Sequence, residues 1–149
     1  MSFFSSMNIS ASGLTAQRVR QDVIAENIAN VDTTRTAEGG PYRRKVTLFQ
    51  ERTQPDTQFA SVFGSTIKRA SAGDGVRVAK ITVDTSEGTK VYEPGHPDAD
   101  ADGYVTKPNV NIVNEMVNMI ASTRSYEANI TAMNATKAMI SKTLEISSR

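Results

Sequence analysis

The sequence predicts an α+β chain in which long N- and C-terminal helices form an antiparallel coiled coil, with a small β-rich insert between them. Three observations carry this reading. No glycine or proline interrupts Asn109 to Ser147, and apolar residues recur there at alternating steps of four and three, a heptad pattern. From Met7 to Val31 there is no proline and Gly13 is the only glycine, with apolar side chains at helical multiples. The middle of the chain has the short-period alternation and turn residues of strands. The expected division is an N-terminal helix over 1–34, a β-rich insert with loops over 35–108, and a C-terminal helix over 109–149.

In the first segment Leu14, Ile24, Ile28 and Val31 share one helix face, and Ala11 and Ala25 widen it. Asp32-Thr33-Thr34, followed by Gly39-Gly40-Pro41, stops the helix near Val31. Strand character follows in Tyr42–Gln50 and in Gly75–Thr85. In the latter, Val76 and Val78 fall out of phase with Ile81 and Val83, which predicts a bulge or twist. Asp84-Thr85-Ser86-Glu87-Gly88 is a turn, and Thr89–Glu93 returns as a short strand. Thr53–Ala72 is polar and reads as a long loop. In the last segment the predicted seam is Ile112, Met116, Met119, Thr123, Tyr126, Ile130, Met133, Lys137, Ile140 and Leu144. Asn109 or Asn111 is the expected cap and Glu115 suits the first turn. At 1.5 Å per residue this helix is about 55 Å long, more than a globule of this size needs, so it requires partners along its length.

Composition narrows the function. The chain has 149 residues, a formal net charge of +1, 38% hydrophobic residues and no tryptophan. Near-neutrality excludes an electrostatic nucleic-acid binder. The short basic run Arg43-Arg44-Lys45 reads as a solvated strand start. The low apolar fraction suits a thin core, or burial completed on assembly. The absence of cysteine excludes disulfides, thiol nucleophiles and iron–sulfur ligands. The N-terminus lacks the pattern of a cleaved secretory signal, and no stretch has the apolar length of a membrane span, so no membrane insertion is expected.

One motif suggests a cation. Asp98, Asp100, Asp102 and Gly103 match the opening of an EF-hand loop. Yet its twelfth position is Asn109, which lacks the bidentate carboxylate, and Glu93-Pro94-Gly95-His96-Pro97 cannot be an entering helix. The expected reading is a solvated acidic turn without metal, the alternative a calcium-binding module. A single histidine, His96, offers no zinc site, no nucleophile and base are paired, and nothing calls for a cofactor. The chain is therefore not expected to be an enzyme. The methionines of the seam read as adaptable packing.

The segment "SGLTAQRVRQDVIAENIANVDTT", with Asn27-Ile28-Ala29-Asn30-Val31-Asp32-Thr33, resembles the N-terminal helix signature of the bacterial flagellar rod and hook axial proteins. "GHPDADADGYVTKPNVN" running into "EMVNMI" and "RSYEAN" resembles their C-terminal half and points within the family to a proximal rod subunit. "GPYRRKVTLFQE" fits as well. Arg35 departs from the pattern, standing where many relatives place a glycine. The resemblance implies a structural subunit exported by the flagellar type III apparatus without signal cleavage. Such subunits polymerise in the periplasm into a helical axial tube, terminal helices inward and β insert outward. The neighbours implied are copies of itself, the rod proteins FlgB, FlgF and FlgG, and the adaptor FliE. The expected interface residues are Leu14, Ile24, Asn27, Ile28, Asn30, Val31, Ile112, Met116, Met119, Tyr126, Ile130, Met133, Ile140 and Leu144. The heptads alone also suit a coiled-coil filament or adaptor outside a rod.

Overall fold

A computed structural model describes residues 3–52 and 73–147; the polar loop expected at 53–72 lies outside the described residues. Helix α1 spans Phe3–Ala29. It ends where Asn30 turns back on it, its Nδ2 donating to the Glu26 carbonyl at 2.9 Å while its Oδ1 accepts from the Thr33 hydroxyl at 3.1 Å. An asparagine side chain that competes for backbone partners is suited to stopping a helix. Strands β1 (Lys45–Glu51) and β2 (Val76–Val83) pair antiparallel. Leu48 faces Lys80 and Phe49 faces Val78, leaving Ala79 as an extra residue. That bulge falls where the apolar phase of the sequence changes. Strand β3 (Lys90–Tyr92) pairs with β4 (Tyr104–Thr106), which the sequence reading missed because only three residues form it. Its central Val105 is 1% exposed. Gly103, at φ +81°, makes the turn into it, a conformation that favours glycine.

Helix α2 spans Ile112–Ser147. Asn111 caps it, its Oδ1 accepting from the Asn114 N–H at 3.1 Å. The helices run antiparallel. Asn27 meets Glu115, Gln17 meets Ser122, and Gly13 lies against Asn129. A Cβ on Gly13 would sit 2.9 Å from the Asn129 Oδ1, so glycine permits the approach.

The buried line of α2 is Glu115, Ser122 and Thr136. It is turned by about one residue from the expected seam. Met119, Tyr126, Ile130, Met133 and Ile140 are half-buried, whereas Ile112, Met116 and Leu144 are exposed, and so are Thr123 and Lys137. On α1 the buried positions are Gly13, Ala16, Val23, Ile24 and Asn27, with Leu14, Ile28, Asn30 and Val31 half-buried and Ala11 and Ala25 exposed. Small and polar side chains are buried beside Val23 and Ile24 of α1, while the large apolar side chains of α2 are half-buried or exposed.

Two-stranded sheets are marginal on their own. The hairpin β1–β2 is anchored to α1 by Ser12, whose Oγ accepts from the Val76 N–H at 3.1 Å while donating to the Ile9 carbonyl at 2.7 Å. The β3–β4 hairpin is held by a close backbone approach at Gly88, where a Cβ would lie 1.9 Å from the Lys107 carbonyl oxygen. Backbone cannot swing aside as a side chain can. Gly88→Ala is therefore expected to lower stability by ~1–3 kcal/mol in urea unfolding. Gly95→Ala, with nothing within 4 Å of its Cβ, should stay within ~0.5 kcal/mol of the parent.

Candidate assembly site: a buried polar clamp and an outward apolar face

Where α1 ends, β1 begins and α2 starts, three segments converge on Asn27. Its side chain is 1% exposed, and both ends of its amide are used. The Nδ2 donates to the Lys45 carbonyl at 2.9 Å and to the Glu115 Oε2 at 3.1 Å. The Oδ1 accepts from the Tyr42 hydroxyl and from the Lys45 N–H, each at 2.9 Å. An amide supplies two donors and two acceptor sites, and all four are met.

Glu115 is equally buried, and its other oxygen accepts from the Arg44 Nε at 2.8 Å, with the Arg44 Nη2 also at 2.8 Å. Arg44 continues outward to Asp84 at 3.8 Å. Asn109 closes the ring. Its Oδ1 accepts from the Arg44 N–H at 2.8 Å, and its Nδ2 donates to the Ser86 Oγ at 2.9 Å. Lys45 pairs with Glu26 on α1.

The basic run at 43–45 is thus not a solvated strand start as expected. Arg44 and Lys45 are consumed by acids of the two helices, and Arg43 alone is exposed. Two local effects are visible on titrating groups. Bonds from the Ser86 N–H and hydroxyl, with Arg44 adding a smaller pull, hold Asp84 below the usual carboxylate range. Tyr42 is pushed up to about 12, by burial first and then by the carboxylates of Glu26 and Glu115.

The acidic turn also differs from its reading. Asp98 is not simply solvated: its Oδ2 accepts from the Thr34 hydroxyl at 2.8 Å, and its Oδ1 lies 3.7 Å from Arg35. It fastens the β3–β4 connection to the segment leaving α1. Asp100 and Asp102 stay exposed. Among the described residues no group of three His, Cys, Asp or Glu side chains is placed to hold a metal ion.

Around this clamp the molecule shows apolar surface. Ile112, Val113, Met116, Val117 and Ile120 are exposed on α2, and Leu48, Ile81 and Val83 on the β1–β2 hairpin. Exposed apolar surface of this extent marks interaction sites. Sequence reasoning placed Asn27 in the interface set. It missed Tyr42, Arg44, Asn109 and Glu115 as one network, because their partners are 15 to 88 residues apart in the chain.

Arg44→Ala leaves the Glu115 carboxylate buried with only Asn27 as partner, and is expected to cost ~3–5 kcal/mol in chemical denaturation. Glu115→Ala leaves a guanidinium that reaches water and Asp84, and should cost less. Tyr42→Phe should cost ~1 kcal/mol near neutrality. The unfolded tyrosine ionises near pH 10 and the folded one near 12, so rising pH favours unfolding of the parent across that window. The advantage of Tyr42 over phenylalanine should therefore shrink from pH 10 to 12, read from paired unfolding curves. At the acidic turn, Asp100→Asn and Asp102→Asn should leave the melting temperature unchanged, while Asp98→Asn should lower it by a few degrees.

Comparison with known proteins fits these two faces. A family model described as "Flagella basal body rod protein" matches residues 7–35, which hold most of α1 and its terminating turn. A second, described as "Flagellar basal body rod FlgEFG protein C-terminal", matches 101–146, from β4 through α2. "Flagellar basal-body rod protein FlgC" of Bacillus subtilis (strain 168) is 53% identical over 151 residues, covering 98% of this chain and 99% of the relative. Proteins of the same name from Borreliella burgdorferi and Escherichia coli O157:H7 are 47% and 40% identical, each covering 98% of both chains. The chain belongs to the flagellar basal-body rod protein FlgC family.

Proposed function

We propose that this chain is a structural subunit of the flagellar basal-body rod and works by polymerising, with no catalytic step. The observation that carries the reading is likeness to rod proteins along nearly the whole chain, with an α2 whose outward side is apolar. The finer reading is a subunit of the proximal rod that joins others in a helical axial tube, transmits torque and encloses the export channel. The terminal segments 1–34 and 109–149 form its axial layer by coiled-coil packing, and 35–108 lies outward. In this reading Leu14, Ile24, Asn27, Ile28, Asn30 and Val31 act with Met119, Tyr126, Ile130, Met133 and Ile140 at the axial packing. Ile112, Met116 and Leu144, exposed in the single subunit, meet neighbours.

The implied neighbours are copies of itself, FlgB, FlgF, FlgG and the adaptor FliE. The implied route is type III export to the periplasm without a cleaved signal. Exposed apolar helix surface and a thin core support this, since such a chain gains burial on assembly.

Deleting the gene in its own host is expected to remove the rod from purified basal bodies and abolish motility, with both restored by the intact chain. Rods that persist in the deletion strain, seen by electron microscopy, would reject a rod subunit in favour of an accessory coiled-coil protein.

A further inference from the structure

In an antiparallel pair, successive residues turn their N–H and C=O groups alternately toward the partner strand and away from it. On β1 Lys45 turns away, because both of its backbone groups go to Asn27. Its cross-strand partner Val83 therefore turns away on the far side of β2, and so does Ile81, two residues along. Thr82, between them, faces β1 at Val46.

Elsewhere the chain closes such groups itself. Asn27 serves Lys45, and the Ser12 Oγ accepts from the Val76 N–H at 3.1 Å. On β4 the Asp100 N–H donates to the Tyr104 carbonyl at 2.8 Å. Among the described residues nothing meets the outward N–H and C=O of Ile81 and Val83. These residues are 46% and 51% exposed, so no other element covers this stretch of edge.

Donors and acceptors repeating about every 7 Å are matched by another extended backbone. Two features restrict which one. The bulge at Ala79 ends regular pairing just before Ile81, and Lys80 beside it is exposed with no anionic partner among the described residues. Bulges and lysines guard an open edge against indiscriminate pairing. Strand β2 carries Arg77 and Lys80 and no acidic residue, so a second copy of the same edge brings the same cations. Ile81 and Val83 point to one side of the sheet and Lys80 to the other.

We propose that the outer edge of β2 at Ile81 and Val83 receives a strand from a partner protein, an extended segment that alternates apolar with acidic side chains. Its apolar side chains lie beside Ile81 and Val83, and a carboxylate on its other side meets Lys80. This rests on the reading of the chain as a rod subunit, which meets its partners on assembly.

The test removes the outward donors and nothing else. Proline is tolerated on an edge strand where its nitrogen faces away from the ladder. Ile81→Pro/Val83→Pro is therefore expected to keep the parent's urea midpoint and to be exported, yet to restore neither rods nor motility in the deletion strain. Ile81→Val/Val83→Ile keeps the edge and should restore both. Thr82→Pro, which loses its ladder bond to Val46, should unfold. Lys80→Glu tests the charge at an exposed site that folding does not need: it should fold and lose motility, whereas Lys80→Arg should keep it. Rods restored by a folded proline pair would overturn the proposal, and so would full motility from Lys80→Glu, which decides the matter alone if the proline pair does not fold. A parent dimer in solution that the proline pair returns to single copies would replace the partner strand with a second copy. Where the parent chain itself restores no rods, the rod-subunit reading fails; where parent and edge variants all restore them, only this edge does.

Discussion

Saturation of one buried amide sets the geometry of the subunit. Asn27 sits at the last turns of α1, is 1% exposed, and satisfies two donors and two acceptors from the protein itself. The partners that do so come from two separate segments, Tyr42 and Lys45 at the entry to β1 and Glu115 on α2. An aspartate there has no N–H for Glu115 and places a second carboxylate against it. A leucine fills the volume but leaves the Lys45 backbone groups and the Tyr42 hydroxyl unmatched, at a cost of about 1–3 kcal/mol for each buried orphan. The requirement is therefore for an amide, and it fixes both the direction in which the insert leaves α1 and the point at which α2 begins. Arg44 follows from the same constraint, since it neutralises the carboxylate that Asn27 draws into the interior.

With orientation assigned to polar groups, the helix pair is left to small residues. Gly13, Ala16 and Ser122 permit close contact, and the Ser122 hydroxyl meets the Gln17 side chain at 3.0 Å. Such a seam is specific in register and modest in hydrophobic gain, because alanine and serine bury little apolar area. The larger apolar side chains of α2 are consequently free to face outward. The thin core inferred from composition and the exposed stripe are two sides of one allocation.

Two long terminal helices with a small β insert between them were legible in the sequence, and so were the two longer strands, the bulge near Ala79 and the cap, since each has a local cause. Asn111 caps because an asparagine before an unbroken periodic run has few other roles, and the bulge is written in the phase change between Val78 and Ile81. What eluded sequence reasoning depends on partners far along the chain. Periodicity finds the apolar side of a helix, and α2 turns much of that side to solvent, so the inward line of Glu115, Ser122 and Thr136 reads from sequence as a polar face. Glu115 suited the first turn of a helix equally well as a solvated dipole partner, and nothing local distinguishes that from a buried ion pair with Arg44. Asp98 was read with Asp100 and Asp102 because the three alternate, yet only Asp98 lies within reach of Thr34 and Arg35.

A subunit that must stay single before assembly and hold firmly after it faces opposing demands on its surface. Large apolar patches satisfy the second and defeat the first, since they drive association wherever the chain is concentrated. The division seen here reconciles them. Polar contacts that need exact partners are kept inside the subunit, where removing one strands another, and they specify shape. Apolar surface is kept outside, on the outward side of α2 and on the β1–β2 hairpin. Contacts there add up when a copy meets several neighbours at once, as multivalent attachment raises effective concentration without new chemistry. Growth at an existing end, where several neighbours are already in place, is then favoured over the meeting of two free copies. The clamp makes this possible, because patches on separate segments can engage several neighbours together only if their relative positions are fixed beforehand.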